Sequence, residues 1–361
     1  MSLSPRKGRW LLAISPPAVI KLGDLVHDLV AVCFAALAKK ERLTGKNQKP
    51  YVKCTFRDNH CSLVAMIWSD HSLHDIAKNW PDGSVFRLKV QGDQTASYGM
   101  QIKILEARFV EDRDVEEGYN FADLLEWSDR HPDKLYAKLV GYVESDISDP
   151  FLKTLVLSIL GDNVELLKKM PAAKKFHHSY NGGLLEHIWS MTRIAVLLSK
   201  HYHQYYSKLD PRLNQSLVIA GTILHDIGKL RELEYDPFEA RYTTAGSLLG
   251  HIVMGRDMVC EAASKIEGFP KETLLQLEHA ILAHHGKRDF GSPVIPSTIE
   301  ALLLSFIDDL DAKMNQAARA LLNTPPGPLF TEKIYALDNR SLYRGASPST
   351  ESQGPASEPL S

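Results

Sequence analysis

Ten of the chain's fifteen histidines fall between His177 and His285. Within and just beyond that stretch lies one ordered set: His187, the pair His225-Asp226, His251, the pair His284-His285, and Asp308. Successive members are about 24 to 38 residues apart, roughly one helix and a loop, which is how a helical bundle assembles an interior metal site. Neutral imidazole and carboxylate together suit Mn, Fe, Co, Ni or Zn better than Ca. Such a set supports metal-assisted hydrolysis of a phosphate ester. Any one of these histidines alone reads equally well as an ordinary core or surface residue; the ordered set does not.

The central pair sits in His225-Asp226-Ile227-Gly228-Lys229, at the end of the apolar run Leu217–Leu224. Lys229 follows Asp226 by three residues, on the same helical face. It could neutralise a phosphate oxygen or help a leaving group, or be only a favourable cation near a helix C-terminus. His285 has three readings: a further ligand, a proton donor, or a partner that orients a ligand. Asp309 and Asp311 compete with Asp308. His177 and His178 precede Gly182-Gly183, with substrate contact at His178 set against a plain loop. His201 and His203 read as a solvated helix end.

Elements must carry these side chains to one place. Apolar residues at three- and four-residue spacing predict helices over Leu135–Gly141, Asp149–Ile159, Leu184–His201, Leu213–Lys229, Ser247–Lys265, Glu272–His285 and Thr298–Leu322. Breaks fall at Gly182-Gly183, Asp236-Pro237, Phe269-Pro270 and Pro293–Pro296. The back of the chain is therefore all-α. Gly182-Gly183-Leu184-Leu185-Glu186-His187 echoes Gly246-Ser247-Leu248-Leu249-Gly250-His251, each placing a histidine one turn into a helix that starts at glycine.

The front of the chain reads as strand. Tyr51–Arg57, Ser62–Trp68 and Ser84–Gln91 alternate, and Met100–Phe109 does so less cleanly. A short helix over His74–Asn79 separates the second run from the third. Leu22–Ala38 fits either a long first strand or a helix. Four or five strands with a helix after the third give the order of an OB-fold barrel. Val52, Cys54 and Phe56 would fill it, while Tyr51, Lys53, Arg57, Arg87, Lys89 and Lys103 would face out. Cations with an aromatic make a single-stranded nucleic-acid groove; the competing reading is a solvated barrel exterior. Residues 1–110 hold 16 Lys/Arg against 9 Asp/Glu, whereas the remainder holds 26 against 35, although the whole chain is only −2. That split favours an anion-binding module joined to a different domain.

Composition is that of a globular protein, 44% hydrophobic and 24% charged over 361 residues. Cys33, Cys54, Cys61 and Cys260 form no CxxC pair, which leaves no zinc knuckle or redox motif, and four in a chain this long suggest no disulfide scaffold; a reducing cytosol is the simpler reading. Arg6, Lys7 and Arg9 precede the apolar Trp10–Ile14, but Ser15-Pro16-Pro17 ends that run at once. Leu29–Ala38 is too short to span a bilayer. We expect a cytoplasmic protein with no membrane segment. The expected division is a 1–20 extension, a 21–112 OB-fold, a 113–160 helical linker, a 161–323 catalytic bundle and a 324–361 disordered tail.

The ordered residues resemble the HD superfamily of metal-dependent phosphohydrolases in its binuclear H…HD…H…H…D form. More narrowly, Phe176–His187, Ile223–Lys229, Leu248–Ile252, Leu282–Gly286 and Phe306–Met314 resemble the YhaM-type 3′→5′ exoribonucleases, which place an OB-fold ahead of an HD domain. The resemblance covers roughly residues 20–320. It implies an α+β multidomain chain, a barrel followed by an all-α HD bundle. It further implies two divalent cations, Mn²⁺ first, with Fe, Co or Mg as alternatives. His187, His225, Asp226 and Asp308 would hold one; Asp226 would bridge to a second, completed by His251 and His284. Asp308 is preferred because it follows the apolar run Ala301–Ile307, as the family's last aspartate does. Asp226, Lys229 and His285 would serve the chemistry. The implied reaction releases nucleoside 5′-monophosphates from the 3′ end of single-stranded RNA, with single-stranded DNA a second substrate and homo-oligomerisation open. The rival readings are a nucleotide or cyclic-dinucleotide phosphohydrolase and a non-catalytic single-strand binding protein.

Overall fold

The computed structural model describes residues 18–345 except Lys46, His60, 96–98, Glu126, Asp129, 173–179, Glu239 and 325–326. The chain divides into two compact units, Met1–Glu126 and Trp127–Ser361.

The first unit is a closed five-stranded barrel in the order β1-β2-β3-β5-β4. Its strands are β1 (Val30–Thr44), β2 (Pro50–Arg57), β3 (Ser62–Trp68), β4 (Val85–Thr95) and β5 (Gly99–Phe109), with helix α1 (His74–Ala77) between β3 and β4. All pairings are antiparallel except β3 with β5, which meet in parallel at Ala65 and Ile102. A register shift between Leu37 and Lys39 lets the 15-residue β1 bend from one partner to the other. Alternation sends Val52, Cys54, Phe56, Ala65, Ile67, Phe86, Leu88 and Val90 into the barrel, all buried. This order, with the helix after the third strand, is the OB-fold that the sequence predicts. The ambiguous Leu22–Ala38 becomes a short 3₁₀ turn at Leu22–Asp24 and then β1.

The second unit is helical: α2 (Pro132–Asp146), α3 (Pro150–Asp162), α4 (Val164–Leu167), α5 (Gly183–Tyr205), α6 (Gln215–Leu224), α7 (Lys229–Glu232), α8 (Thr244–Ala263), α9 (Lys271–Ala283) and α10 (Ile299–Asn323). One departure from an all-α unit is a two-residue pairing of β6 (Leu233–Glu234) with β7 (Arg241–Tyr242). Every residue of α6 from Ser216 to Leu224 is buried. A helix apolar all round is a central helix, and α6 packs against α5, α9 and α10. Asn214 caps it, its side chain accepting from the Leu217 N–H.

Two expected boundaries move. α2 and α3, placed in a 113–160 linker, supply Leu135, Leu139, Val143, Leu152, Leu155 and Ile159 to the second unit's core. Their apolar faces need that burial, so they belong to the bundle. The expected disordered tail is structured over its described part, where Phe330 pairs with Tyr343 and Ile334 with Arg340. Its remainder, 346–361, lies outside the described residues.

Candidate metal centre

Asp226 sits just past the end of α6, 2% exposed. Its two carboxylate oxygens face two different groups of imidazoles. Oδ2 lies 3.4 Å from His225 Nε2 and 3.7 Å from His187 Nε2. Oδ1 lies 3.4 Å from His251 Nε2 and 3.8 Å from His284 Nε2. Asp308, on α10, joins the first group, with Oδ1 3.4 Å from His187 Nε2 and 3.9 Å from His225 Nε2. His285 joins the second: ligand atoms of His251, His284 and His285 lie within 4.8 Å of one another, as do those of His187, His225 and Asp308.

All five imidazoles of the ordered set, His285 included, are fixed through Nδ1. That atom meets Asp311 Oδ2 in His187 (2.8 Å), the Thr222 carbonyl in His225 (2.8 Å), Glu232 Oε1 in His251 (3.1 Å), the Ile281 carbonyl in His284 (2.7 Å) and the Phe290 carbonyl in His285 (2.7 Å). An oxygen acceptor requires the proton on Nδ1, which leaves the Nε2 lone pair directed inward. Nε2 of His225, His251 and His284, and Asp226 Oδ1, are buried with no hydrogen-bond partner. Native chains seldom strand four buried polar atoms in one place, and convergent nitrogen and oxygen acceptors are the donor set of a divalent transition metal. The residues present fit such ions.

Charge in the cluster follows from burial and neighbours. Burial and then the adjacent His285 and His225 push His284 well below its ordinary pKa, and burial lowers His285 too, so both are neutral. Burial opposes charge on His187, yet its contacts with Asp308 and Asp311 raise it to about 9. Burial also opposes charge on Asp226, but Lys229 and His225 hold it well below the carboxylate range. Asp308 is lowered against its burial by its hydrogen bond with His187 and the charge of His225.

Local sequence explains the placement. Gly228 lets the turn after α6 approach α8: a Cβ there would sit 2.0 Å from the His251 carbonyl oxygen and 2.4 Å from the Gly255 nitrogen. Gly250 breaks α8 with φ 74° and ψ 158°, a left-handed value that favours glycine, and His251 restarts the helix. The echo between the two glycine segments is thus only partial. His187 lies one turn into α5, whereas α8 starts at Thr244 and its histidine follows an internal kink.

The competing aspartates separate. Asp309 is turned to Lys313 at 2.7 Å, on the exposed side of α10. Asp311 lies behind His187 and also accepts from Ser190 Oγ at 2.5 Å. Lys229 is buried, with Nζ 2.5 Å from Asp226 Oδ2. Sequence reasoning missed Glu232, Ser190 and the anchoring role of Asp311. Asp311 carried a signal, three residues after Asp308 on the same face; Glu232 and Ser190 carried none. His178 falls outside the described residues.

On the barrel, the predicted outward residues do not form one face. Tyr51 packs on Trp68 at 4.6 Å between centroids, with Lys53 and Arg57 further along β2. Arg87 and Lys89 are on β4, which pairs with β1 and β5 instead of β2. Both are neutralised, Arg87 by Glu117 at 2.7 Å and Lys89 by Glu106 at 2.8 Å. Lys103 meets Asp93 at 3.0 Å, and Lys53 lies 3.8 Å from Glu41. A groove of about 510 Å³ lies between β3 and β5, lined by Met66, Trp68, His71, Gln101 and Lys103 among others.

The HD domain family matches residues 184–313, the span that carries every member of the cluster. A helicase family, TraI_2, matches residues 132–231. The 3′-5′ exoribonuclease YhaM of Geobacillus sp. (strain WCH70) is 36% identical over 301 residues, 83% of this chain and 87% of that one. The chain belongs to the YhaM-type 3′-5′ exoribonuclease family. The 83% of this chain that the relative covers reaches into both units. Among solved structures, the second OB-fold domain of replication protein A from Methanococcus maripaludis covers 26% of this chain and 96% of its own length, at 17% identity and TM-score 0.22. The OB domain of Ta0387 from Thermoplasma acidophilum covers 26% and 88%, at 11% identity and TM-score 0.20. The barrel assignment rests on the strand order. No helix among the described residues is long and apolar enough to cross a membrane.

Proposed function

We propose that this chain is a metal-dependent 3′-5′ exoribonuclease that degrades single-stranded RNA to nucleoside 5′-monophosphates, with single-stranded DNA as a second substrate. The observation that carries the reading is Asp226, whose two oxygens each face a separate set of imidazoles. His187, His225, Asp308 and Asp226 Oδ2 would hold one divalent cation, and His251, His284 and Asp226 Oδ1 the other, with His285 as a further ligand. Two such ions, Mn²⁺ in our reading, would polarise the scissile phosphodiester and lower the pKa of an attacking water.

The chain's own residues do the rest. Asp311 and Glu232 hold His187 and His251 in the tautomer and orientation that keep Nε2 available. Lys229 offsets the Asp226 charge and places an ammonium beside the cluster, where it can meet a non-bridging phosphate oxygen. His285 is neutral and its Nδ1–H donates to the Phe290 carbonyl, so its Nε2 accepts; this supports a ligand or base over the proton donor also considered. Tyr51 and Trp68 offer the barrel's stacking platform, with Lys53 and Arg57 for phosphate; Arg87, Lys89 and Lys103 contribute less because acids pair with them. The four cysteines are free thiols, in keeping with a reducing cytoplasm.

A time course on 5′-labelled single-stranded RNA with Mn²⁺, alongside Asp226→Ala, tests the reading. We expect a ladder that shortens from the 3′ end and is abolished by the substitution. Endonucleolytic fragments, or an active Asp226→Ala protein, would refute it.

A further inference from the structure

Away from the His/Asp cluster, one indole gathers three cations. Trp189 is on α5, two residues past His187, so its side chain is turned about 200° away around the helix. It belongs to the same buried core as Leu135 and Leu139 of α2 and is 6% exposed. The Arg193 guanidinium lies 4.9 Å from the ring centroid, that of Arg130 5.1 Å, and the Lys138 ammonium 5.6 Å. These residues, with Tyr142 and Ser145, line a cleft of about 480 Å³ between α2 and α5. No residue of the cleft belongs to the metal centre.

Two features call for an anion there. First, the positive charge is under-compensated among the described residues. Arg130 leans on Glu186 at 3.6 Å, but Glu186 also accepts from the Tyr180 hydroxyl at 2.9 Å. Lys138 and Arg193 have no carboxylate within 4.0 Å among the described residues. Asp146 is engaged by the Ser145 hydroxyl at 2.5 Å. Three like charges around one ring repel, and cation–π attraction offsets only part of that. Second, the indole Nε1–H is buried with no hydrogen-bond partner. A buried unmet donor on the same indole that the three cations approach calls for an acceptor.

We propose that the α2/α5 cleft is a second binding site, specific for a phosphate group. Two guanidinium groups and an ammonium lining one cleft match phosphate oxygens, and Arg favours two-point contact with them. The ring is already covered by cations, so it does not serve to stack a base; charge and hydrogen bonding select the ligand. A phosphate could come from the RNA strand itself or from a free nucleotide. The chemistry is shared, and the site needs no metal, so it stands or falls apart from the hydrolytic reading.

The test uses the full chain labelled with 5-fluorotryptophan, without added divalent metal, with Trp189→Phe identifying the Trp189 fluorine resonance. Inorganic phosphate, a nucleoside 5′-monophosphate and a short phosphorothioate RNA are titrated at constant ionic strength. We expect a saturable shift of that resonance with each. Lys138→Gln combined with Arg193→Gln, both exposed positions, should weaken it by about tenfold or more, since two charge-assisted contacts are lost. Saturation by the oligomer well below the mononucleotide identifies the strand backbone as the source; equal saturation identifies the free nucleotide. A shift that chloride reproduces, no shift at all, or an undiminished shift in the double variant overturns the proposal. The readout does not use hydrolysis, so it is unaffected if the exonuclease reading fails.

Discussion

Asp311→Ala removes a carboxylate that touches no substrate and, in our reading, no metal. In the native chain it accepts from His187 Nδ1 at 2.8 Å and from Ser190 Oγ at 2.5 Å, in a site where it is 7% exposed. Without it, His187 is free to move its proton to Nε2, the atom directed at Asp226 and Asp308. A buried hydrogen bond to a charged group is worth about 1.5–3 kcal/mol, and losing a carboxylate behind a metal-bound histidine typically costs about 10- to 100-fold in affinity or activity. We therefore expect Mn²⁺ affinity, measured by titration calorimetry, to fall by about that factor. Raised Mn²⁺ should restore part of the turnover on RNA. Asp309→Ala is the matched control, because that side chain is turned to Lys313 on the exposed face; it should leave both quantities unchanged. If Asp311→Ala binds metal like the native protein, or if Asp309→Ala is the damaging substitution, the assignment of these aspartates is wrong.

Three other outcomes follow from the same geometry. Gly228→Ala forces a Cβ to within 2.0 Å of the His251 carbonyl, so α8 must retreat; we expect a loss of about 2 kcal/mol or more in denaturant unfolding together with weakened metal binding. His187 is raised from 6.5 to about 9, so its contribution, up to about 3 kcal/mol, is fully present in the metal-free fold below pH 6.5 and is lost as pH rises through 9. Metal displaces that proton, so melting curves with saturating Mn²⁺ should not show this decline, and Mn²⁺ affinity should grow over the same window. Trp68→Ala should weaken single-stranded RNA binding by about 1–3 kcal/mol in fluorescence anisotropy, while hydrolysis of a dinucleotide stays intact.

Much of this was legible in the residues. Barrel strands with one buried face announced themselves through alternation, as in Val52, Cys54 and Phe56. β1 did not, because Ala31–Leu37 are buried at every position; a strand covered on both faces reads as a plain apolar run. The histidines were legible because one falls on each of several predicted helices. Glu232 was not, since its contact with His251 depends on the close approach that Gly228 and Gly246 permit, and close approach leaves no periodic trace. Arg87 and Lys89 show the converse. Their outward direction was readable from the strand, but their neutralising partners, Glu117 and Glu106, come from elsewhere in the chain.

The division of Asp226 between its two oxygens has a thermodynamic consequence. In our reading one carboxylate serves both halves of the centre, so the half-sites share a ligand. Whatever occupies the His187 side fixes the plane of that carboxylate and presents Oδ1 to His251 and His284 already oriented. The second occupant then meets a ligand whose rotational freedom is gone. Occupancy of the halves is therefore linked and reciprocal, so the affinity of either half is to be measured with the state of the other defined.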